Sequence, residues 1–416
     1  MDAKRFIVAH VALTLASSIV ACGLTGCLPE RRSAPPKSSG RTLYVSNLPD
    51  CGGQHPCYTR LQRAVDAASD HDVIKVAGGT YTGITSEDGT SLPVVAIDKA
   101  VYLLGGYHAT DWSLAPSRDE PSVVDAEHVP GRRAFYIDGS EVPTITVRGF
   151  DIRGGNDPGS GGGGIRVDDG SVVLEGNLIE GCTTDAKGGG LFIADGTVRL
   201  TNNTLRGNVA RFGGALYVDG GSVVLRRNVF MANEAPPVGG AIAINAGAVE
   251  GANNVVADNV GAGAGVYLTG GRLTASHWTL ANNGRYAVLA DLGIDIERGS
   301  VSLRKSILAS HEGGLCGSGA SAHQTLFYDV ARPCLAGASC VNNLFGDPKF
   351  VDPWAGDYHI AQDSAAIDQG YSVDVVSDMD GDPRPVGPAA DIGADEITPH
   401  RTYLPSILLR FSSPRL

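Results

Sequence analysis

Alternating carboxylates give the first chemical lead. The stretch DMDGD places Asp378, Asp380 and Asp382 on alternate residues around a glycine. Carboxylates in that pattern supply hard oxygen ligands, and calcium is the ion that collects them. Asp391, Asp395 or Glu396 would complete the cage. A second reading needs no ion: Arg384 pairs with one of the acids and the others cap turns. That second reading is preferred, and calcium remains the one cofactor the residues suggest.

Other groups invite other chemistry. Asp168 and Asp169 in VDDG are adjacent acids, and glycoside hydrolysis uses a carboxyl pair. They precede a strand, however, where a turn also wants Asp, and turn formation is the assignment made. Arg304 and Lys305 sit in SVSLRKSIL, with Arg226 and Arg227 at related positions of an earlier repeat. Such a basic face would bind a uronate or simply be solvated, and solvation is favoured. An exposed Trp278 in ASHWTLANN would be a platform for sugar stacking. It replaces a repeated Asn, so it is assigned to the core. Tyr217 and Tyr267 each follow an aligned apolar residue. Neighbours on a strand alternate faces, so both should point outward as an aromatic stripe for glycans.

These residues are carried by a repeat. The runs GGGIRV, GGGLFI, GGALYV, GGAIAI and GAGVYL align Ile165, Leu191, Leu216, Ile242 and Val266 at intervals of 26, 25, 26 and 24 residues. Asn177, Asn203, Asn228 and Asn254 keep the same period, and Trp278 then takes the place. Five residues on, Cys182 is followed by Asn208, Asn233, Asn259 and Asn283. A unit this short, with two or three brief strands and no helix, cannot bury its apolar face alone and must stack. Successive coils at the strand spacing of ~4.8 Å then bring like residues into columns, and stacked Asn side chains can bond up and down them. The expected fold is all-β: a solenoid of about ten coils of 24–26 residues, a rod of about 50 Å by that spacing.

The pattern resembles the right-handed parallel β-helix, or pectin-lyase-like, superfamily. CYTRLQRAVDAASDHDVIKVAGGTYTG, from Cys57 to Gly83, is similar to the opening of many exported members. Thr59 is positioned to cap a short helix whose Leu61, Ala64, Val65 and Ala68 share one face and plug the end of the core. Enzymes of that superfamily mostly cut polysaccharides, as lyases with calcium-binding Asp residues and a Lys or Arg base, or as hydrolases with paired Asp residues. The hydrolase motifs the resemblance implies (Asn-Thr-Asp, Gly-His-Gly, Arg-Ile-Lys) are absent, so no catalytic residue is assigned.

NLFGDPKFVDPWAGDYHIAQDSAAIDQG, followed by SDMDGDPRPVGPAADIGADE, resembles a choice-of-anchor Q domain, which implies surface display and no catalysis. DMDGD also has a partial likeness to an EF-hand start, but the Glu at its twelfth position is missing. In SAAIDQG, Ala366 and Ile367 are expected to pack on the last coil while Asp368 fixes a turn, so that the module closes the C-terminal end of the rod.

At the N-terminus, Lys4 and Arg5 precede the apolar stretch Phe6 to Val20. LTGC then resembles a bacterial lipobox, which implies acylation of Cys27. The motif ending at Cys22 is a poorer competitor, and an ordinary secretory signal is the alternative. The chain thus divides into a leader (1–26), a Pro/Ser-rich tether (27–41), a capped β-helix (42–340), the anchor-like module (341–397) and a tail (398–416). The expected location is outside the cell, as a surface or outer-membrane lipoprotein held to the membrane through the lipid alone. In an oxidising compartment Cys51 and Cys57 are a plausible bridge, and one more is expected among Cys316, Cys334 and Cys340.

Bulk properties agree. The 416 residues include 56 glycines and carry a net charge of −12. That acidity argues against nucleic acid as a partner. A monomer is expected. The reading reached is a surface-anchored rod that binds glycans or another cell surface. The alternatives are a polysaccharide lyase or hydrolase, and a passive spacer or protein-binding adhesin.

Overall fold

The computed structural model describes residues 40–83, 93–114, 116–236, 240–261, 264–290, 299–371 and 375–398. The leader with Cys27, the tether as far as residue 39 and the tail beyond Thr398 lie outside the described residues.

Glycine-framed apolar runs of this length have too few residues for anything but short strands, and each coil makes three. In one coil these are Leu191–Ile193, Thr197–Thr201 and Thr204–Arg206. Each pairs in parallel with its counterpart one coil on, building three walls. Leu191 lies against Leu216, Leu200 against Leu225 and Leu205 against Phe230. Ile165, Leu191, Leu216, Ile242 and Val266 form one continuous register. Their side chains turn inward and are fully buried, with Ile193, Val198, Leu200 and Leu205, in a single core running the length of the rod.

Glycines serve the corners. A Cβ on Gly189 would come within 2.5 Å of the Gly214 carbonyl oxygen, so the glycine-rich entry to the first wall lets neighbouring backbones touch. At the corner between the second and third walls the chain places one residue in the left-handed region and then the ladder residue, which is Asn in most coils and Trp278 or Ser306 in two later ones. That left-handed residue is Asn202, Arg227, Asn253, His277 or Lys305, with φ between 48° and 56°.

Among the described residues the second wall contains twelve paired strands, from Thr42–Val45 to Ser339–Val341. About ten coils were expected. The difference lies at the ends, where the period breaks: the Thr325 amide bonds Asn343 only 18 residues on, against 26 between Asn177 and Asn203.

At the N-terminal end the helix Leu61–Ala67 lays Leu61, Ala64 and Val65 onto the core. Thr59 does not cap it. Arg60 occupies the cap position in an extended conformation and makes no side-chain cap bond.

The C-terminal module, expected to close the end of the rod, packs on its side and reaches the last coils at Leu326 and Leu344. It folds back along the third wall. Tyr358, Ile360, Ala366, Ile392 and Ala394 pack on Val229, Val255, Ala257, Ala281, Ile307 and Ala309, which are outward residues of several coils. Tyr358 Oη donates to Asp258, the Ala394 amide to Thr279 Oγ1 and the Gly393 amide to the Lys305 carbonyl. The reason is compositional. Farther back on the same wall the outward positions include Glu180 and Arg206, which pair at 2.6 Å and are partly exposed. From Val229 onward they become apolar and need a cover.

Among the described residues two disulfides are present, Cys51–Cys57 and Cys334–Cys340, and Cys316 lies outside both. Among the described residues no helix is long and apolar enough to cross a membrane.

Candidate functional site

The Asn columns are the most specific repeated feature of the sequence. Asn177, Asn203, Asn228 and Asn254 are buried at one corner. Asn177 Nδ2 donates to Asn203 Oδ1 at 3.1 Å, Asn203 to Asn228 at 3.1 Å and Asn228 to Asn254 at 3.0 Å. Each Oδ1 also accepts the backbone amide of the preceding ladder residue. The second column, Asn208, Asn233, Asn259 and Asn283, is built in the same way. Both columns run farther than the sequence reading took them. Trp278 passes its place to Ser306, and Thr325 bonds Asn343. The second column begins at Cys182 and ends on His311, whose Nε2 accepts from the Asn283 amide at 3.2 Å. The chain's own backbone satisfies these side chains, so they are structural.

The outward face of the first wall gathers aromatic and charged groups. Tyr136, Arg166, Phe192, Tyr217, Ala243 and Tyr267 lie in one register. Tyr217 and Tyr267 do point away from the core, but they are not exposed. Each is 6 % accessible, in a satellite cluster with Phe192 and Ala243 that Phe212 helps to cover. Aromatic rings one strand spacing apart stack on each other, here at 5.8 Å between Phe192 and Tyr217, and the loop carrying Phe212 lies over them. The expected glycan stripe is therefore closed.

The charged groups of this face are matched to one another. Asp168 accepts from Tyr136 Oη at 2.7 Å and from Arg166 Nε at 2.5 Å, whereas Asp169 caps the Gly170 amide. Arg133 pairs with Asp157, and Lys187 with Asp219 at 3.3 Å. Burial opposes the charge on Lys187, yet Tyr217 and Asp219 hold its ammonium above the ordinary lysine range. A group so held keeps its proton and is unsuited to abstracting one.

Lys305 is not solvated as expected: it is 2 % accessible, with Gly370 of the module against it, while Arg304 stays exposed. Trp278 is fully buried, as is His277, whose imidazole is pushed well below its usual range by burial and then by Arg384 and Lys305. His311 lines a shallow, open hollow with Asn282, Ser310 and Asp329.

In the module, Asp378, Asp380 and Asp382 do not converge as a calcium cage. Asp378 is fully buried. Its Oδ1 accepts the Asp380 and Asp382 amides, and its Oδ2 accepts that of Glu396. Asp391 likewise accepts the Asp368 and Ile397 amides, and Asp368 accepts that of Ala389. Arg384 donates to the Asp391 and Gly393 carbonyls and stands 3.8 Å from Glu396. Turn capping consumes these carboxylates, which give the module's backbone amides their acceptors.

A different constellation converges. His359, on the strand Asp357–Ile360, faces Asp380 and Asp395, with ligand atoms of all three within 4.8 Å of one another. His359 Nδ1 is 2.5 Å from Asp357 Oδ1, and Nε2 is 2.8 Å from Asp380 Oδ2. Burial alone would lower the imidazole pKa, but these carboxylates raise it to about 10. The sequence reading did not single out His359. The available signal was its alternation with Asp357 in DYHI, which puts both side chains on one strand face. Also passed over were Trp354 and Tyr371, which are 97 % and 83 % accessible. Their signal was an aromatic set among Pro, Gly and Asp, in DPWAGD and DQGYS.

The comparisons with known proteins bear on the fold. The family model described as "Right handed beta helix region" matches residues 128–301. No curated protein matches the chain. Among solved structures, that of the pectate lyase Pel9A is similar, with a TM-score of 0.63 and 13 % sequence identity, covering 87 % of this chain and 98 % of that one. The walls, the register and these likenesses together make the chain a right-handed parallel β-helix of pectate-lyase-like fold.

Proposed function

We propose that the protein is an exported rod, tethered at the cell surface through Cys27, that contacts glycans without cleaving them. The observation that carries this reading is the contrast between two surfaces. On the first wall, among the described residues, Arg133 pairs with Asp157, Arg166 with Asp168 and Lys187 with Asp219, while Asp169 caps the Gly170 amide. On the module, Trp354 and Tyr371 stand in water, where an aromatic ring has no packing role and is suited to the apolar face of a sugar. The anchor-like reading of residues 341–397, supported by their Asp/Gly/Pro spacing, agrees with display.

Incubating the mature protein with a polysaccharide panel, with and without calcium, tests the proposal. Retention without cleavage is the expected result, weakened at least about tenfold in Trp354→Ala if the ring contributes an ordinary stacking energy. New unsaturated or reducing ends would overturn the proposal in favour of a lyase or hydrolase. Neither binding nor cleavage would leave the passive spacer.

A further inference from the structure

We propose that His359, Asp380 and Asp395 hold one divalent transition-metal cation of the zinc class inside the C-terminal module.

The geometry is that of a mixed nitrogen and oxygen site. Zinc binds His nitrogen and carboxylate oxygen at about 2.0–2.2 Å, which sets ligand atoms about 3.3 Å apart around a tetrahedron. Here the three ligand atoms lie within 4.8 Å of one another, and the His359–Asp380 pair is at 2.8 Å. That contact opens by about half an ångström to admit the ion. The metal takes the place of the proton that His359 and Asp380 share, and the proton leaves to solvent.

Two independent observations separate this cluster from an ordinary group of acids. The first is Asp395. It is 1 % accessible; its Oδ2 accepts the Ile360 amide at 2.9 Å, while its buried Oδ1 has no hydrogen-bond partner. A desolvated carboxylate oxygen without a donor costs several kcal/mol; the protonated His359 beside it offsets part of that cost, and a divalent ion in place of the proton would meet the oxygen directly. The second is the support behind the imidazole. Asp357 bonds Nδ1 at 2.5 Å, which fixes the tautomer and turns Nε2 toward the other two ligands. A carboxylate behind a metal-bound His is the usual orienting partner. Asp380 is held too, since Asp378 fixes its backbone amide at 2.9 Å.

The donor set selects the ion. Calcium asks for six to eight oxygens and gains nothing from an imidazole, whereas zinc accepts this set and keeps a fourth position for water. The bound ion would join the strand Asp357–Ile360, the turn at 378–382 and the segment at 391–396, which are the pieces that clasp the flank of the rod.

The test uses the full mature protein, stripped with a chelator, dialysed and titrated with Zn2+ or Ca2+ alone. Metal content and thermal unfolding are read in parallel. The expected result is one zinc per chain and a higher Tm with zinc, with neither effect from calcium. Asp380→Asn and His359→Gln should each weaken zinc binding at least tenfold while circular dichroism keeps the β signal. Asp357→Asn, which removes only the orienting carboxylate, should weaken it about 10–100-fold. If stripped wild type takes up no zinc and its Tm ignores the ion, the trio is a plain ion pair and the proposal is wrong. That outcome needs no variant to fold, and it leaves the glycan reading untouched.

Discussion

The side-chain amide of Asn203 donates to Oδ1 of Asn228 at 3.1 Å, across two neighbouring coils and entirely out of water. Asn228 in turn donates to the Leu200 carbonyl and to Asn254 Oδ1, and accepts the Asn203 backbone amide. Substituting Asn228→Ala would remove four buried hydrogen bonds at once, although Asn254 Oδ1 keeps the Asn228 backbone amide and Asn203 Nδ2 keeps the Leu174 carbonyl. Each lost bond costs about 1–3 kcal/mol, so a loss of at least about 3 kcal/mol is expected. The exposed Asn245→Ala should cost under about 1 kcal/mol. Denaturant unfolding of the two variants checks the difference.

Trp278 interrupts the first column, and Gly251 makes the room. The Leu225 position of the preceding coil becomes Gly251, then Ala275, in register. A Cβ on Gly251 would come within 2.5 Å of Trp278 Cζ2. Trp278→Asn alone should cost about 3–5 kcal/mol, as large-to-small core changes do. Gly251→Leu alone should be at least as damaging through overpacking. The double variant restores the pairing used by earlier coils and should be more stable than either single one. A double-mutant cycle with no positive coupling would refute this account.

Acid should destabilise the rod through His311. Burial holds its folded pKa down at about 3, against 6.5 when unfolded. Between those values the unfolded chain binds a proton that the folded chain does not, so stability falls as the pH falls from 6.5 towards 3. The slope is about 1.4 kcal/mol per pH unit for this group. His311→Asn continues the second column with the residue it already uses and removes the titration. Its unfolding free energy should therefore show a shallower pH dependence than wild type over that window.

Docking of the module on the flank can be disturbed from the rod side. Ala281 is 2 % accessible and touches the module cluster. Ala281→Glu would bury an unpaired carboxylate there and should free the module. Limited proteolysis should then cut between residues 341 and 397 faster than in wild type, while the coils stay resistant.

How much of this was legible depended on periodicity. Ile165, Leu191 and Leu216, with Asn177, Asn203 and Asn228, fixed the coil, the corner and the ladder because a stacked fold turns sequence spacing directly into contact. The ends were harder. Thr325 and Asn343 belong to the same ladder at a shorter period, so alignment by interval lost them. Tyr217 and Tyr267 were placed on the correct face, but burial there depends on Phe212 and a loop outside the repeat. The module's position was written in the third wall, where Glu180 and Arg206 give way to Val255, Ala257 and Ala281 at outward positions. That change from charge to apolar is visible in sequence only once the wall is known. The His359 cluster draws its members from three distant segments, and no local spacing announces such a meeting.

Because residues 358–394 clasp outward side chains from Val229 to Ala309, tension pulling on the C-terminal side enters the protein sideways. It is spread in shear over several turns at once, and the final turn is spared from being unzipped strand by strand.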